Sequence, residues 1–330
     1  MEYPLCWRRK HITKKIRKIL LIRLRKLGDT LLATLVADAL RDNFSEAEIH
    51  YLVDSQYAEL FYNHPSIDRV IKIKKGLSFR ETLRFGMWLK KEDYSFTIDL
   101  HSGPRSSLIA FLSSRKRYGL KTAYSFLFTK TVPRRLSPLS HHIENQFQVL
   151  KILGINAAPG QYRFPPPEPL NYPIEGEYAL LHPFASPLKS LSREQAYLLA
   201  QQLLKIGLKP VFTGSEEEGR KIDELAIGEN LAGISLSQMR ALAQGAKVFI
   251  GVDSGPAHLA STTSVPMVVI FGPHLSAWYR PWRREKIAII EKDIPCRPCS
   301  EKKCVLKENL CILSITPQEI MEKVEEVLKE

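Results

Sequence analysis

Strand-length apolar runs alternate with helix-length stretches along most of this chain, and few folds accept that rhythm. Residues 18–23, 48–53, 68–73 and 94–99 read as strands, and residues 30–40 keep their apolar positions near the helical period. Strands separated by helical crossovers pair in parallel, so the pattern predicts an α/β sheet. Pro165, Pro166, Pro167, Pro169 and Pro173 then interrupt it. Proline continues neither a helix nor a central strand, which makes residues 165–173 a linker. A second series follows, with strands over 178–182, 209–213, 247–252 and 265–271. Ser192 and Gln195 stand at capping-box spacing before a helix running toward Ile206, and residues 216–226 read as a polar-faced helix. The expected architecture is two doubly wound α/β domains, 19–164 and 174–315, facing a cleft. A basic arm, 1–18, precedes them. Thr316 as N-cap and Pro317 in the first turn start a closing helix over 316–330, expected to pack back toward the first domain.

A length of 330 residues suits two domains, and 48 basic against 35 acidic side chains leave +13. Such an excess fits nucleic acid, an anionic membrane surface or phosphorylated substrates. Much of it opens the chain: Arg8, Arg9, Lys10, Lys14, Lys15, Arg17, Lys18, Arg23, Arg25 and Lys26 face Glu2 alone. The apolar run after the arm is too short for a signal peptide and is broken by Arg23, so a cytoplasmic location is expected. No window approaches the ~18 apolar residues of a membrane span. The arm is either a solvated tail or, with Leu5 and Trp7 beside it, an anchor on an anionic surface. A non-catalytic nucleic-acid-binding protein is the alternative of another class. Against it, neither a zinc-finger pattern nor an RNA-recognition signature occurs.

Five segments carry candidate chemistry. Gly28 and Asp29 follow the first strand, where open α/β sheets bind ligands; glycine allows a sharp turn and close approach, and Asp29 is either a helix cap or a cleft carboxylate. Asp253-Ser-Gly-Pro-Ala-His258 joins a buried-type strand to a helix start. Free amides there suit a phosphate, with Ser254 as hydroxyl donor, Gly255 keeping the approach open and His258 one turn in. Asp253 would repel the phosphate itself, so it is expected to orient loop amides or a sugar hydroxyl. Ser186 and Lys189 lie in the loop after residues 178–182, where a lysine can neutralise a departing diphosphate. Glu217 and Glu218, after residues 209–213, could hold ribose hydroxyls or simply favour a helix dipole. Cys296, Cys299, Cys304 and Cys311 could hold a structural zinc, pair as disulfides, or remain thiols; Cys6 stands alone.

On these motifs the chain resembles the heptosyltransferases of glycosyltransferase family nine, which build the lipopolysaccharide inner core. The likeness rests on residues 19–23 leading to Leu27-Gly-Asp-Thr-Leu-Leu32, on residues 63–71, and most specifically on residues 253–260 with Pro266 and Phe271-Gly-Pro273. The cysteine-rich segment is similar to one in many members, especially heptosyltransferase II. The resemblance implies a GT-B fold, with the acceptor at the first domain and the nucleotide in the second. It implies metal-independent, cofactor-free inverting transfer from an ADP-heptose to lipid A-Kdo or a heptosyl acceptor, with no nucleic acid as partner. By motif, Asp29 corresponds to the proposed base and Lys189 to the lysine at the donor phosphates. Ser254, Gly255 and His258 correspond to the pyrophosphate loop and Asp253 to the acid at its start. Ile234 corresponds to an apolar position beside adenine, and Glu217 or Glu218 to the ribose acid. Gly28, Arg105 and Arg117 are expected on the acceptor side. Arg25-Lys26 and Leu35-Val36 depart from the family pattern. Another sugar-nucleotide enzyme of the same architecture, such as an epimerase, is the competing enzymatic reading.

Overall fold

The computed structural model describes residues 16–134, 140–170, 174–283, 285–299, 303–306 and 308–329. Cys6 and the arm's basic residues from Arg8 to Lys15 lie outside it, as does Pro173 of the linker.

The first sheet consists of β1 (Lys18–Arg23), β2 (Glu48–Asp54), β3 (Arg69–Ile73), β4 (Phe96–Asp99), β5 (Arg117–Leu120) and β6 (Lys130–Val132). The second consists of β7 (Tyr178–His182), β8 (Lys209–Phe212), β9 (Glu229–Asn230), β10 (Val248–Val252), β11 (Met267–Phe271) and β12 (Ile287–Glu291). Their orders are β3-β2-β1-β4-β5-β6 and β12-β11-β10-β7-β8-β9, all parallel. Both are the doubly wound order, which reverses at β1/β4 and at β7/β10 and opens a ligand crevice at each reversal. The central strands are buried on both faces, as their near-continuous apolar runs require.

In the first half the helices are α1 (Leu27–Asn43), α2 (Phe79–Lys90), α3 (Pro104–Ser113) and α4 (His142–Gln148). In the second they are α5 (Arg193–Lys205), α6 (Glu216–Asp223), α7 (Leu236–Gly245), α8 (Gly255–Ala260), α9 (Ser276–Tyr279), α10 (Leu310–Leu313) and α11 (Pro317–Lys329). Reciprocal capping boxes start α2, α5, α6 and α7, and Thr316 with Glu319 starts α11 the same way. None of the described helices is long and apolar enough to cross a membrane.

The structure corrects two expectations. Helix α1 begins at Leu27, and the left-handed residue of the turn is Lys26 (φ 55°), not Gly28. Asp29 therefore sits in the first turn instead of capping it. Helix α11 packs on α5, β11 and β12 and not toward the first domain. Its apolar stripe of Ile320, Met321, Val324 and Val327 completes the core beside Leu199, Leu203 and Ile270. Gln195 fixes the approach by donating to the carbonyls of Ile312 (3.0 Å) and Ile315 (2.6 Å).

One buried apolar cluster spans both domains, beside a cluster private to each. Leu31, Leu35 and Val36 of α1 belong to the same buried cluster as Ala257, Leu259 and Ala260 of α8 and Phe249 of β10. Buried Arg240 on α7 fastens the start of the linker: it donates to the Pro165 carbonyl at 2.5 Å and lies 5.1 Å from the Phe164 ring centroid.

Candidate active site

The loops after β1 and β10 meet face to face. A methyl group on Gly28 would come within 2.5 Å of the His258 ring, and one on Gly255 within 3.0 Å of Leu27 Cβ. Only bare backbone at these two positions lets the crevices close into one cleft.

On the first wall, Arg23 ends β1 as a buried cation, donating to the Leu100 carbonyl and pairing with Asp29 Oδ2 at 2.5 Å. His142 Nε2, from α4, lies 3.5 Å from Asp29 Oδ1. Burial raises the Asp29 carboxyl, but Arg23, His142 and His258 more than offset that and hold it below the ordinary aspartate range. Asp29 is thus ionised at neutral pH, with each oxygen oriented. Behind it, buried Asp99 accepts the amides of His101 and Ser102, both at 2.9 Å, and shapes the loop that brings His101 to the cleft.

On the second wall, Asp253 Oδ2 takes Lys189 Nζ at 2.8 Å and His274 Nδ1 at 2.9 Å. Burial raises this carboxyl, but His274 and Lys189 outweigh it and bring it down to about 2. Asp253 thus holds the lysine through the oxygen that His274 also engages, where orienting loop amides or a sugar hydroxyl was expected. The side-chain oxygens of Ser186 and Ser254 and Nδ1 of His258 are buried without a hydrogen-bond partner among the described residues. Buried polar atoms in that state are available to hydrogen-bond water or a ligand group in the cleft.

Two chambers make up the cleft. One of about 640 Å³, entirely in the second domain, is lined by Ser186, Lys189, Glu216, Glu218, Ile234, Asp253, Ser254 and Gly255 among others. The other, about 720 Å³, is lined by Arg23, Arg25, Lys26, Gly28, Asp29, His101, Arg134, His142, His258 and His274 among others. Lys189, Asp253, Ser254, Gly255 and Pro256 line both, so the chambers are continuous. Both volumes lie in the range of small-molecule binding sites.

Several predicted residues fall elsewhere. Glu217 is exposed and does not line the chamber, while Glu218 does, its carboxylate accepting the Ser215 amide at 2.8 Å. Arg117 stands at the start of β5, the end of the sheet away from the cleft, and donates to the carbonyls of Leu127, Ser114 and Arg115. Arg105 donates to the Lys74 carbonyl at 3.3 Å and lines neither chamber. The cations that line the first-domain wall of the cleft are Arg23, Arg25, Lys26 and Arg134. Sequence reasoning missed His142, His101, Arg134 and His274; only His274 carried a signal, directly after the Phe271-Gly-Pro273 motif. Cys296, Cys299, Cys304 and Cys311 are free thiols; Cys311 is buried and donates to Asn309 Oδ1 at 2.9 Å. Among the described residues no group of three or more His, Cys, Asp or Glu is gathered to hold a metal ion.

Two parallel doubly wound domains that meet at their switch points form a GT-B architecture. The chain belongs to glycosyltransferase family 9 (heptosyltransferase), whose model matches residues 82–310. It is 26% identical over 319 residues to lipooligosaccharide heptosyltransferase 2 of Campylobacter jejuni, covering 92% of this chain and 96% of that one. Its fold is similar to a family 9 glycosyltransferase from Veillonella parvula, with a TM-score of 0.81 at 18% identity, covering 96% and 98% of the two chains. It is also similar to Escherichia coli ADP-heptose LPS heptosyltransferase II, with a TM-score of 0.76 at 20% identity, covering 94% and 98%.

Proposed function

We propose that this heptosyltransferase moves a heptose, with inversion, from ADP-heptose to the lipopolysaccharide inner core, on lipid A-Kdo or a first heptose. The observation that carries this reading is the pairing of an ionised, oriented Asp29 with a phosphate-type wall whose buried polar atoms lack partners. The acceptor hydroxyl attacks the anomeric carbon from the first-domain side as the bond to ADP breaks on the other. Asp29 takes the hydroxyl proton through Oδ1, the oxygen not occupied by Arg23. Lys189, held by Asp253, and the α8 amides with Ser254 and His258 stabilise the charge that grows on the diphosphate. Ile234 and Glu218 receive the adenosine. No second carboxylate is required as a covalent nucleophile, and the chemistry requires no cofactor.

The acceptor is lipid-anchored on this reading, and the enzyme works peripherally at the inner face of the cytoplasmic membrane, with the basic arm of 1–18 as one attachment. The experiment is a donor panel with defined core acceptors, following ADP release and product mass. The reading expects ADP-heptose to be consumed only when acceptor is present. Isomerisation of the donor without acceptor would refute it in favour of an epimerase.

A further inference from the structure

Residues 135–330 hold 22 basic and 22 acidic side chains, so the whole +13 lies in the first 134 residues. Within these, residues 69–91 carry eight basic side chains against Glu81 alone, and residues 100–134 carry seven with no acid. The surplus is therefore concentrated on β3, α2, α3, β5 and β6, and the arm contributes only part of a segment otherwise balanced by acids.

This charge has a defined place. Alternate residues of β1 point to opposite faces: Ile19 and Leu21 join the core of α1, while Leu20 and Ile22 join that of Leu89 on α2 and Ile109 on α3. Helices α1 and α4 share the other face and meet the second domain, α1 at α8 and α4 through His142 against Tyr279, so the α2–α3 layer is turned away from it. That layer exposes Phe79 (69%), Met87 (62%), Phe111 (45%) and Phe126 (78%), set among the cations. Arg117 lies 5.0 Å from the Phe111 ring centroid, and Arg69 lies 5.7 Å from that of Trp88.

We infer that the α2–α3 layer of the first domain is the surface by which the protein lies on an anionic lipid bilayer. Aromatic and aliphatic side chains standing out among cations suit a headgroup interface. A nucleic-acid strand would need a groove, and the seam between α2 and α3 is filled, with Leu112 packed so closely on Gly86 that a Cβ there would lie 2.6 Å away. A second copy of the same strongly positive layer would be repelled. The layer extends to the ligand end of the first sheet, where Arg105 at the start of α3 donates to the carbonyl of Lys74 just after β3. Lying on this face would hold the first domain, with the ligand end of its sheet, at the surface that carries a lipid-anchored acceptor. The inference rests on the proposed function only for the acceptor being lipid-anchored.

The test is sedimentation of the full-length protein with phosphatidylcholine vesicles, with and without phosphatidylglycerol, at low and high salt. Arg80→Gln/Arg84→Gln/Lys90→Gln is expected to weaken binding to the anionic vesicles on the order of a hundredfold. Phe79→Ser/Phe126→Ser is expected to weaken it on the order of tenfold. Both variants should bind ADP as wild type does by calorimetry, which shows them folded. If both sediment like wild type while deletion of residues 1–15 releases the protein, the inference is wrong. It is equally wrong if wild type ignores phosphatidylglycerol, or if the layer variants lose only oligonucleotide binding on filters. Transfer to a detergent-dispersed acceptor separates the two readings. Its absence in wild type, with vesicle binding still dependent on the layer, would overturn the proposed reaction and leave the docking surface standing.

Discussion

A carboxylate beside an arginine is a weak base, and Asp29 is one; what the pairing supplies is a fixed, ionised oxygen at every working pH. Arg23 engages Oδ2 and leaves Oδ1 toward His142 and the cleft. Asp29→Asn keeps the shape and removes the proton acceptor. It should lower kcat/KM by ~10²–10⁴-fold, with ADP affinity within about twofold of wild type by calorimetry. Turnover within a factor of a few of wild type would remove Asp29 from the base role. Gly28→Ala tests the opposite wall, because its methyl would displace the His258 ring from 2.5 Å away. ADP affinity and transfer should both fall, although residue 28 makes no proposed contact with the nucleotide. Away from the cleft, Asp38 is buried, and burial pushes its carboxyl up to about 6 despite the 2.5 Å bond from Ser66 Oγ. A folded-state value above the unfolded one favours the fold while the group is protonated, and this contribution is lost as pH rises through about 6. Asp38→Asn should therefore raise Tm at pH 8 by the equivalent of about 1–3 kcal/mol and change it little near pH 4. An equal shift at both pH values would point to packing instead of charge.

At the scale of elements, what was readable locally is what local chemistry decides. The strands that became β1, β2, β7, β10 and β11 are apolar runs with clear ends, and Ser192, Gln195 and Thr316 announce their helices through short-range bonds. The short strands β5, β6 and β9 carry Arg117, Lys130 and Glu229 and take their strand form from the neighbours they pair with. The same distinction runs through the cleft. Lys189, Asp253 and Ser254 stand in loops after sheet strands and Asp29 in the helical turn just after β1, so position in the sequence placed them. His142 arrives on α4 and Arg134 after β6, and no local pattern tells that those elements fold back to the β1 loop. Arg117 shows the converse: a cation in a basic run looked available, yet its guanidinium is committed to three backbone carbonyls. The docking of α11 belongs with these long-range facts and can be tested at Gln195, the side chain that joins α5 to the chain before α11. Gln195→Ala takes the side-chain donor from the Ile315 carbonyl, leaves the Ile312 carbonyl with its backbone donor alone, and should cost about 1–3 kcal/mol, read as a lower urea midpoint at unchanged m. A midpoint within error of wild type would mean that solvent reaches Ile312 and Ile315.

For the whole molecule, the shared core decides how independent the two domains can be. A GT-B enzyme with separate cores would unfold domain by domain, and ligand would protect only the half that binds it. Here the inner face of the second sheet, through Phe249, Met267 and Val269, belongs to one buried cluster with α1 and with the inner face of the first sheet. Gly28 and Gly255 let the two switch-point loops touch, and Arg240 holds the start of the linker to α7. Pulling the domains apart would expose Leu31, Leu35, Ala257 and Leu259 together, and each large aliphatic side chain costs about 1.5–3 kcal/mol to expose. Scanning calorimetry should therefore show one endotherm. ADP at a hundredfold excess over its Kd should shift the whole of it, stabilising by about 2.7 kcal/mol. Arg240→Ala should lower the same single transition, because the linker tie is lost while the α1–α8 contact remains. Two resolved endotherms, with ADP moving only one, would show that the core is divided at the cleft and that the domains stand as separate cooperative units.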